Sequence, residues 1–271
     1  MLSSVGFVTN RDRKHALDCA ARAEAFFLRN GVRVLQAETE GEKPDLIITF
    51  GGDGTLLAGA RWAISRGSPL MGINLGTVGF LTEEEPENLD QALEALLAGA
   101  YTIEKRSLLE AVSLRSGEHA FALNDVVITR GGYARLIRVE AEVNGEPYGA
   151  FTADGIIVAT PTGSTGYSLS AGGPIVEPGV SCMTITPVCA HSLQHAPCVV
   201  SAASEIRLRL REDREQSAEL QVDGMNRGTL RGGDEVLITG ARKQLSLIRL
   251  RSYHFFGLVR TKLMEWGSIH E

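Results

Sequence analysis

No apolar run in the 271 residues approaches the roughly 20 needed to cross a bilayer, so a membrane partner is not expected. A basic n-region ahead of a long apolar core is also missing from Met1-Leu2-Ser3-Ser4-Val5-Gly6-Phe7-Val8, which reads as a first strand and not as a secretion signal. Cysteine is sparse. The four present (Cys19, Cys182, Cys189, Cys198) form no Cys-x-x-Cys pair and have no zinc-like spacing to histidine, which points to free thiols and a cytoplasmic location. Positive charge is in deficit, and a net charge of -6 argues against a general nucleic-acid partner while leaving local basic pockets open. His15, His119 and His270 stand in surface-like contexts, and none reads as a general base. Gly6 to Asn10 holds a single glycine, so no Gly-x-Gly-x-x-Gly follows the first strand and a dehydrogenase is disfavoured. Internal repeats, heptads and low-complexity segments are lacking. What remains is an ordinary globular composition, 44% hydrophobic and 22% charged, long enough for one large domain or two modest ones.

Within that frame one stretch stands out, Asp45-Leu46-Ile47-Ile48-Thr49-Phe50-Gly51-Gly52-Asp53-Gly54-Thr55-Leu56-Leu57. A short apolar run suits a strand buried on both faces, and a helical segment follows the glycines. Glycine lets the backbone approach an anion, and the free N–H groups of a helix start point towards it. Asp53 does not suit a pure anion hole, because a carboxylate repels phosphate. It makes sense if it handles a metal ion or a proton, both of which phosphoryl transfer needs. The plainer alternative is a tight turn in which Asp53 caps the following helix.

The first third alternates strand and helix. Strands are expected at residues 5–9, 32–35, 45–50 and 69–74, and helices at 15–29, through Trp62, and at 88–97, with Asn30-Gly31 as a C-cap. Such alternation indicates a parallel sheet with helices on its faces, whose ligands bind beyond the carboxyl ends of the strands. Both Gly51 to Thr55 and a second turn, Gly72-Ile73-Asn74-Leu75-Gly76-Thr77-Val78-Gly79-Phe80-Leu81, fall there. The second turn is either a plain glycine-rich connection or the other lip of the same crevice.

After about Tyr101 the texture changes to strand-length runs at 108–114, 120–129, 136–143, 156–160, 205–210, 218–222, 235–239 and 245–250. Several alternate apolar with polar, most clearly Ile206-Arg207-Leu208-Arg209-Leu210, and turns such as Asn144-Gly145 and Gly232-Gly233 separate them. This predicts an α/β domain over 1–100, a mostly β domain over 101–250, and a C-terminal segment over 251–271 carrying a short helix that packs back on the first domain. Inside the β-rich part, Thr160 to Pro174 is rich in hydroxyls and glycines with one tyrosine, which suits a polyhydroxylated or phosphorylated ligand, or else a solvated loop. Upstream, Asn124-Asp125 offers an amide beside a carboxylate, a pair able to read an adenine edge and a ribose diol, or else a strand-end turn.

Taken in order, Gly51-Gly52-Asp53-Gly54, the Gly72 to Leu81 turn, Asn124-Asp125, and Asp154-Gly155 running on to Ser164-Thr165-Gly166-Tyr167-Ser168-Leu169-Ser170-Ala171-Gly172-Gly173 resemble the NAD kinase (ATP-NAD kinase) family over almost the whole chain. The resemblance implies a Rossmann-like α/β domain plus a β-sandwich, with the C-terminus returning to the first domain. It implies phosphoryl transfer from ATP or polyphosphate to the 2′-hydroxyl of the adenosine ribose of NAD, a divalent metal (Mg2+) carried on the substrate phosphates, and a homodimer or homotetramer. Residue by residue, Asp53 looks like the family's catalytic aspartate and Gly54 its phosphate-side neighbour. Asn124 and Asp125 look like the pair that holds adenine and ribose, and Asp154 resembles the acid near the nicotinamide half. Thr162, Thr165, Gly166, Tyr167, Ser168, Leu169 and Ser170 look like the ligand-lining loop, with Tyr167 the stacking ring. Arg135 and Asp223 fall near positions that touch ligand in relatives. Two departures stand out: Thr152 where many bacterial members carry arginine, and Ala190 where a second proline is commoner. Lipid kinases of the diacylglycerol or sphingosine type and phosphofructokinases share Gly-Gly-Asp-Gly, and a non-catalytic dinucleotide sensor is a rival from another class. The Thr160 to Pro174 run and Asn124-Asp125 favour a dinucleotide, and the retained Asp53 favours an enzyme.

Overall fold

The computed structural model describes residues 2–36, 41–75, 79–82, 84–131, 136–190, 196–212 and 217–268. The chain divides into two units, one of Met1–Lys105 with Leu245–Glu271 and one of Arg106–Gln244. The first opens with β1 (Ser4–Thr9), α1 (Lys14–Arg29), β2 (Arg33–Gln36), β3 (Leu46–Gly51), α2 (Asp53–Arg66) and β4 (Leu70–Asn74), then α3 (Leu89–Ala98) and β5 (Thr102–Arg106). β1 pairs in parallel with β2 and β3, and β3 with β4. Every residue of β3 is buried, as a continuous apolar run in a parallel sheet requires. α1 buries Ala16, Cys19, Ala23 and Phe27, three and four residues apart. It ends as Asn30-Gly31 leads one to expect, with Gly31 at φ 74° and the Asn30 amide donating to the Phe26 carbonyl at 2.9 Å.

The second unit is β6 (Leu109–Ser113), β7 (His119–Ala122), β8 (Asp125–Arg130), β9 (Ile137–Val143), β10 (Glu146–Ala153), β11 (Gly155–Ala159), α4 (Tyr167–Ser170), β12 (Cys182–Val188), β13 (Cys198–Ser201), β14 (Glu205–Leu210), β15 (Ser217–Val222), β16 (Met225–Arg231) and β17 (Glu235–Gly240). These make two six-stranded sheets, β10-β9-β14-β17-β6-β7 and β13-β12-β11-β8-β15-β16, antiparallel throughout. Their inner faces share one core, to which Ile206 and Leu208 contribute from one sheet and Val126, Ile128, Ile156 and Val158 from the other. That is a β-sandwich. The alternate residues Val127, Ile157 and Ala159 face outward from the second sheet, where Ala171 packs on them. The Thr160 to Pro174 run therefore lies on the outer face of that sheet.

The chain then returns. β18 (Leu245–Arg249) enters the first sheet, giving the order β2-β1-β3-β4-β18-β5, and α5 (Phe255–Ser268) follows. The run at 245–250 was expected among the strands of the β-rich part and instead lies beside β4, with Leu247 opposite Leu70 in parallel. Leu245, Leu247 and Ile248 are all buried, the pattern of a strand covered on both sides. The run at 120–129, read as one strand, is two. It breaks at Leu123-Asn124, and β7 and β8 join different sheets. The Asp223 carboxylate, a hundred residues away in sequence, takes the N–H groups at the break, so their backbone leaves the ladder. β5, β10, β12, β13 and β16 had no counterpart among the expected strands.

Candidate active site

β3 delivers Gly51 and Gly52 to the start of α2, which puts Asp53 in the helix's first turn. The Gly52 carbonyl accepts the N–H groups of Thr55 (2.9 Å) and Leu56 (3.1 Å). The amides of Asp53 and Gly54 have no acceptor among the described residues, as expected for the first two positions of a helix. Asp53 does not cap its own helix. Its carboxylate turns to the segment beyond β4, where Oδ2 accepts the Phe80 N–H at 2.9 Å. Oδ1 accepts the N–H groups of Leu81 (3.2 Å) and Thr82 (3.3 Å) and the Thr82 hydroxyl (3.4 Å). Three successive amides wrap one carboxylate, a backbone nest. Gly79 permits it: a β-carbon there would collide with the Asp53 carboxyl group. Gly79, Phe80, Leu81 and Thr82 of the second turn thus lie against Asp53 of the first.

In the second unit the pieces converge around Asn124-Asp125. Asp223, held in the left-handed region at φ 48°, accepts the N–H groups of Leu123 (2.8 Å), Asn124 (2.7 Å) and Asp125 (3.2 Å). From the other side, Thr160 donates its hydroxyl to the Leu123 carbonyl (2.5 Å) and its N–H to the Asn124 carbonyl (2.8 Å). Gly163 packs so tightly on the Asn124 backbone that a β-carbon would collide with it. So pinned, Asn124 presents a buried Oδ1 with no hydrogen-bond partner among the described residues. Such an atom costs free energy until a donor reaches it, and a bound ligand is one source of that donor. Beside it, burial first and then the Asp223 charge raise the Asp125 carboxyl to about 7.

The lining loop divides by direction. Ser164 donates to the Pro161 carbonyl (2.6 Å), Thr165 to the Thr162 carbonyl (3.2 Å), and the Ser168 and Thr186 hydroxyls hydrogen-bond to each other (2.9 Å). Thr162 Oγ1 accepts from Arg106, an arginine only 1% exposed. These hydroxyls shape the turn from within. Tyr167 and Ser170 are exposed, and Gly166 and Leu169 are half-buried. Burial raises the Tyr167 phenol, followed by Cys189, Asp154 and Asp125, which places Asp154 and Asp125 in its electrostatic neighbourhood. Asp154 pairs with Arg130 Nε at 3.1 Å, so the guanidinium beside it comes from the end of β8 while Thr152 lies half-buried in β10. Arg135 lies outside the described residues. Arg106, Arg130, Thr160 and Asp223 were missed or held at the margin by sequence reading, because each acts through a partner distant in the chain.

Among the described residues no three His, Cys, Asp or Glu side chains gather as a metal cage.

A parallel α/β unit with a Gly-Gly-Asp-Gly helix start, joined to a β-sandwich with a pinned Asn-Asp pair, defines a two-unit nucleotide kinase. Two solved structures share the architecture. A yeast NADH kinase complexed with NADH matches at TM-score 0.82 and 25% identity over 92% of this chain and 83% of its own. An NAD kinase from Archaeoglobus fulgidus in complex with ATP matches at TM-score 0.77 and 27% identity, over 97% and 99%. The chain belongs to the ATP-NAD kinase family: the model of the family's N-terminal domain matches residues 36–101 and that of its C-terminal domain residues 123–250. The NAD kinase of Moorella thermoacetica is 40% identical over 98% of this chain and 91% of its own, and that of Geobacter sp. strain M21 is 47% identical over 83% and 78%. Membership of this family leaves the lipid-kinase and sensor alternatives without support.

Proposed function

We propose that this chain phosphorylates the 2′-hydroxyl of the adenosine ribose of NAD to give NADP, with ATP or polyphosphate as donor. The reading rests on Asp53, a carboxylate fixed by four hydrogen bonds at a helix start whose first amides have no acceptor among the described residues. The names of the relatives and the NADH and ATP complexes of the two solved neighbours support the substrates.

In the reaction the ribose oxygen attacks the terminal phosphorus, the bond to the bridging oxygen breaks, and ADP or a chain shortened by one phosphate leaves. The proton of the hydroxyl passes to Asp53. Phosphoryl transfer runs through a loose, charge-rich transition state, so alignment and charge stabilisation outweigh early deprotonation. A carboxylate is a weak base towards an alcohol, but it accepts the proton late, once bond formation has made the hydroxyl acidic. The Asp53 and Gly54 amides receive phosphate oxygens. A magnesium ion, carried on the substrate phosphates, would neutralise their charge, while Asp53 is kept for the proton. Asn124 reads the adenine edge, Asp125 accepts the ribose hydroxyls, and Asp154 serves the nicotinamide half. Tyr167 stacks, flanked by Gly166, Leu169 and Ser170, with the inward hydroxyls of Thr162, Thr165 and Ser168 holding the loop in shape. A homodimer or homotetramer in the cytoplasm is the working form we assign, and light scattering on the purified protein tests the assembly.

The decisive assay follows NADP production with ATP and with polyphosphate, with and without magnesium. NADP formation is expected, and its absence with every donor would refute the reading. Asp53→Asn should lower kcat about a thousand-fold while NAD still binds.

A further inference from the structure

Among the described residues the Asp53 carboxylate is held by the segment beyond β4, so what fixes that segment helps fix the carboxylate. Its central peptide joins Phe80 to Leu81. On one side the Leu81 N–H donates to Asp53 Oδ1 at 3.2 Å; on the other, the Phe80 carbonyl accepts the Tyr253 hydroxyl at 3.3 Å. A peptide that accepts a hydrogen bond at its oxygen is polarised into a better donor at its nitrogen, so the two bonds strengthen each other.

Tyr253 sits between β18 and α5 and is itself braced. The Arg249 guanidinium lies 4.3 Å over its ring, and Arg249 Nε, on a side chain 5% exposed, meets Glu104 Oε2 at 2.7 Å. Two residues before the tyrosine, Arg251 reaches Glu84 at 3.4 Å. Glu84 closes the base of the same segment, its carbonyl accepting the Asn74 N–H at 2.7 Å. Tyr253 and Arg251 thus touch that segment at Phe80 and at Glu84. Among the described residues Asp53 Oδ2 takes only the Phe80 N–H, at 2.9 Å, which leaves it the oxygen with room for a further partner. The orientation of that oxygen depends on the Phe80 backbone that Tyr253 holds.

We propose that Tyr253 is a positioning residue for Asp53, acting through the Phe80–Leu81 peptide, so that the returning C-terminal segment takes part in aligning phosphoryl transfer. The proposal rests on the reading of Asp53 given above. No atom of Tyr253 is assigned to substrate.

Tyr253→Phe removes the hydroxyl and keeps the ring under Arg249. In the magnesium-ATP assay its kcat should fall about five- to ten-fold with KM for NAD unchanged, the change expected for a lost hydrogen bond realised in alignment. Introduced into Asp53→Asn, it should produce no further loss, because the group it aims is already gone. A wild-type kcat, a proportionate rise in KM, full additivity with Asp53→Asn, or a variant unfolded at the assay temperature would each overturn the proposal. If Asp53→Asn itself turned over at the wild-type rate, the role of Asp53 would fall instead, whatever Tyr253→Phe did.

Discussion

Asp125 carries the most distinctive chemistry at the scale of a single residue. It is 6% exposed and lies beside Asp223, which accepts its N–H at 3.2 Å, and burial and that neighbour lift its carboxyl to about 7. The ribose hydroxyls proposed for it are donors and need an ionised acceptor. Below pH 7 the empty site holds a proton that must leave on binding, so NAD affinity should fall roughly ten-fold per unit between pH 7 and pH 5. Titration calorimetry in buffers of different ionisation enthalpy should record the proton release, and Asp125→Asn should abolish both effects. The same shift has an opposite consequence for the ligand-free protein. Because the folded carboxyl binds its proton more tightly than the unfolded one, the group stabilises the fold at low pH. That contribution is lost as pH rises from the ordinary aspartate range to about 7. Asn124 complements it: its buried Oδ1, without a partner among the described residues, is a donor-seeking atom that an adenine amino group would satisfy.

At the scale of elements, two glycines separate the two jobs. Gly79 lets the segment beyond β4 close on the Asp53 carboxylate, and Gly163 lets the loop after β11 close on the Asn124 backbone. One methyl group at either position must push the two apart. Gly79→Ala should therefore lower kcat by about a hundred-fold with NAD binding little changed, since misplacement of a reacting group by about 1 Å has that effect. Gly163→Ala should weaken NAD binding instead. Steady-state kinetics beside calorimetry checks both, and a pair of variants that failed in the same parameter would break the division. The glycines around Asp53 are conspicuous in the chain, yet what they serve is not. The sequence offers helix capping as the plain use of Asp53, whereas its four bonds go to residues 27 to 29 positions later. The loop from Thr160 to Pro174 is comparable. Its hydroxyls suggest ligand donors, but Ser164, Thr165 and Ser168 are occupied within the protein, and the faces left open are those of Tyr167 and Ser170.

At the scale of the whole molecule, the chain crosses from the α/β unit into the sandwich at Arg106 and comes back at Leu245. β18 supplies Leu245, Leu247 and Ile248 to the first sheet, all at most 2% exposed. At about 1.5–3 kcal/mol for each buried aliphatic side chain, these three alone match much of the 5–15 kcal/mol that holds a typical domain together. A chain ending at Gln244 should therefore lose the first unit and keep the second, whose strands all lie between Leu109 and Gly240. Limited proteolysis should digest residues 1–105 of that truncated chain rapidly and leave a fragment near 106–244. Survival of the α/β unit would show that β4 and β5 hold the sheet without the strand between them.

The sequence by itself determined the periodicities: the continuous apolar run of β3, the three-and-four spacing of α1, and the alternation of Ile206-Arg207-Leu208-Arg209-Leu210. It also determined the glycine turns, because these patterns are local and each residue's preference is felt within a few neighbours. Only the tertiary structure decided where β18 goes, why residues 120–129 break into two strands, and which oxygen of Asp53 is left open. Each of those outcomes turns on a hydrogen bond or a buried face supplied from far along the chain: Asp223 to Asn124, Leu247 beside Leu70, Tyr253 to Phe80. Such partners are brought together by packing the whole core, and no window of neighbouring residues contains them.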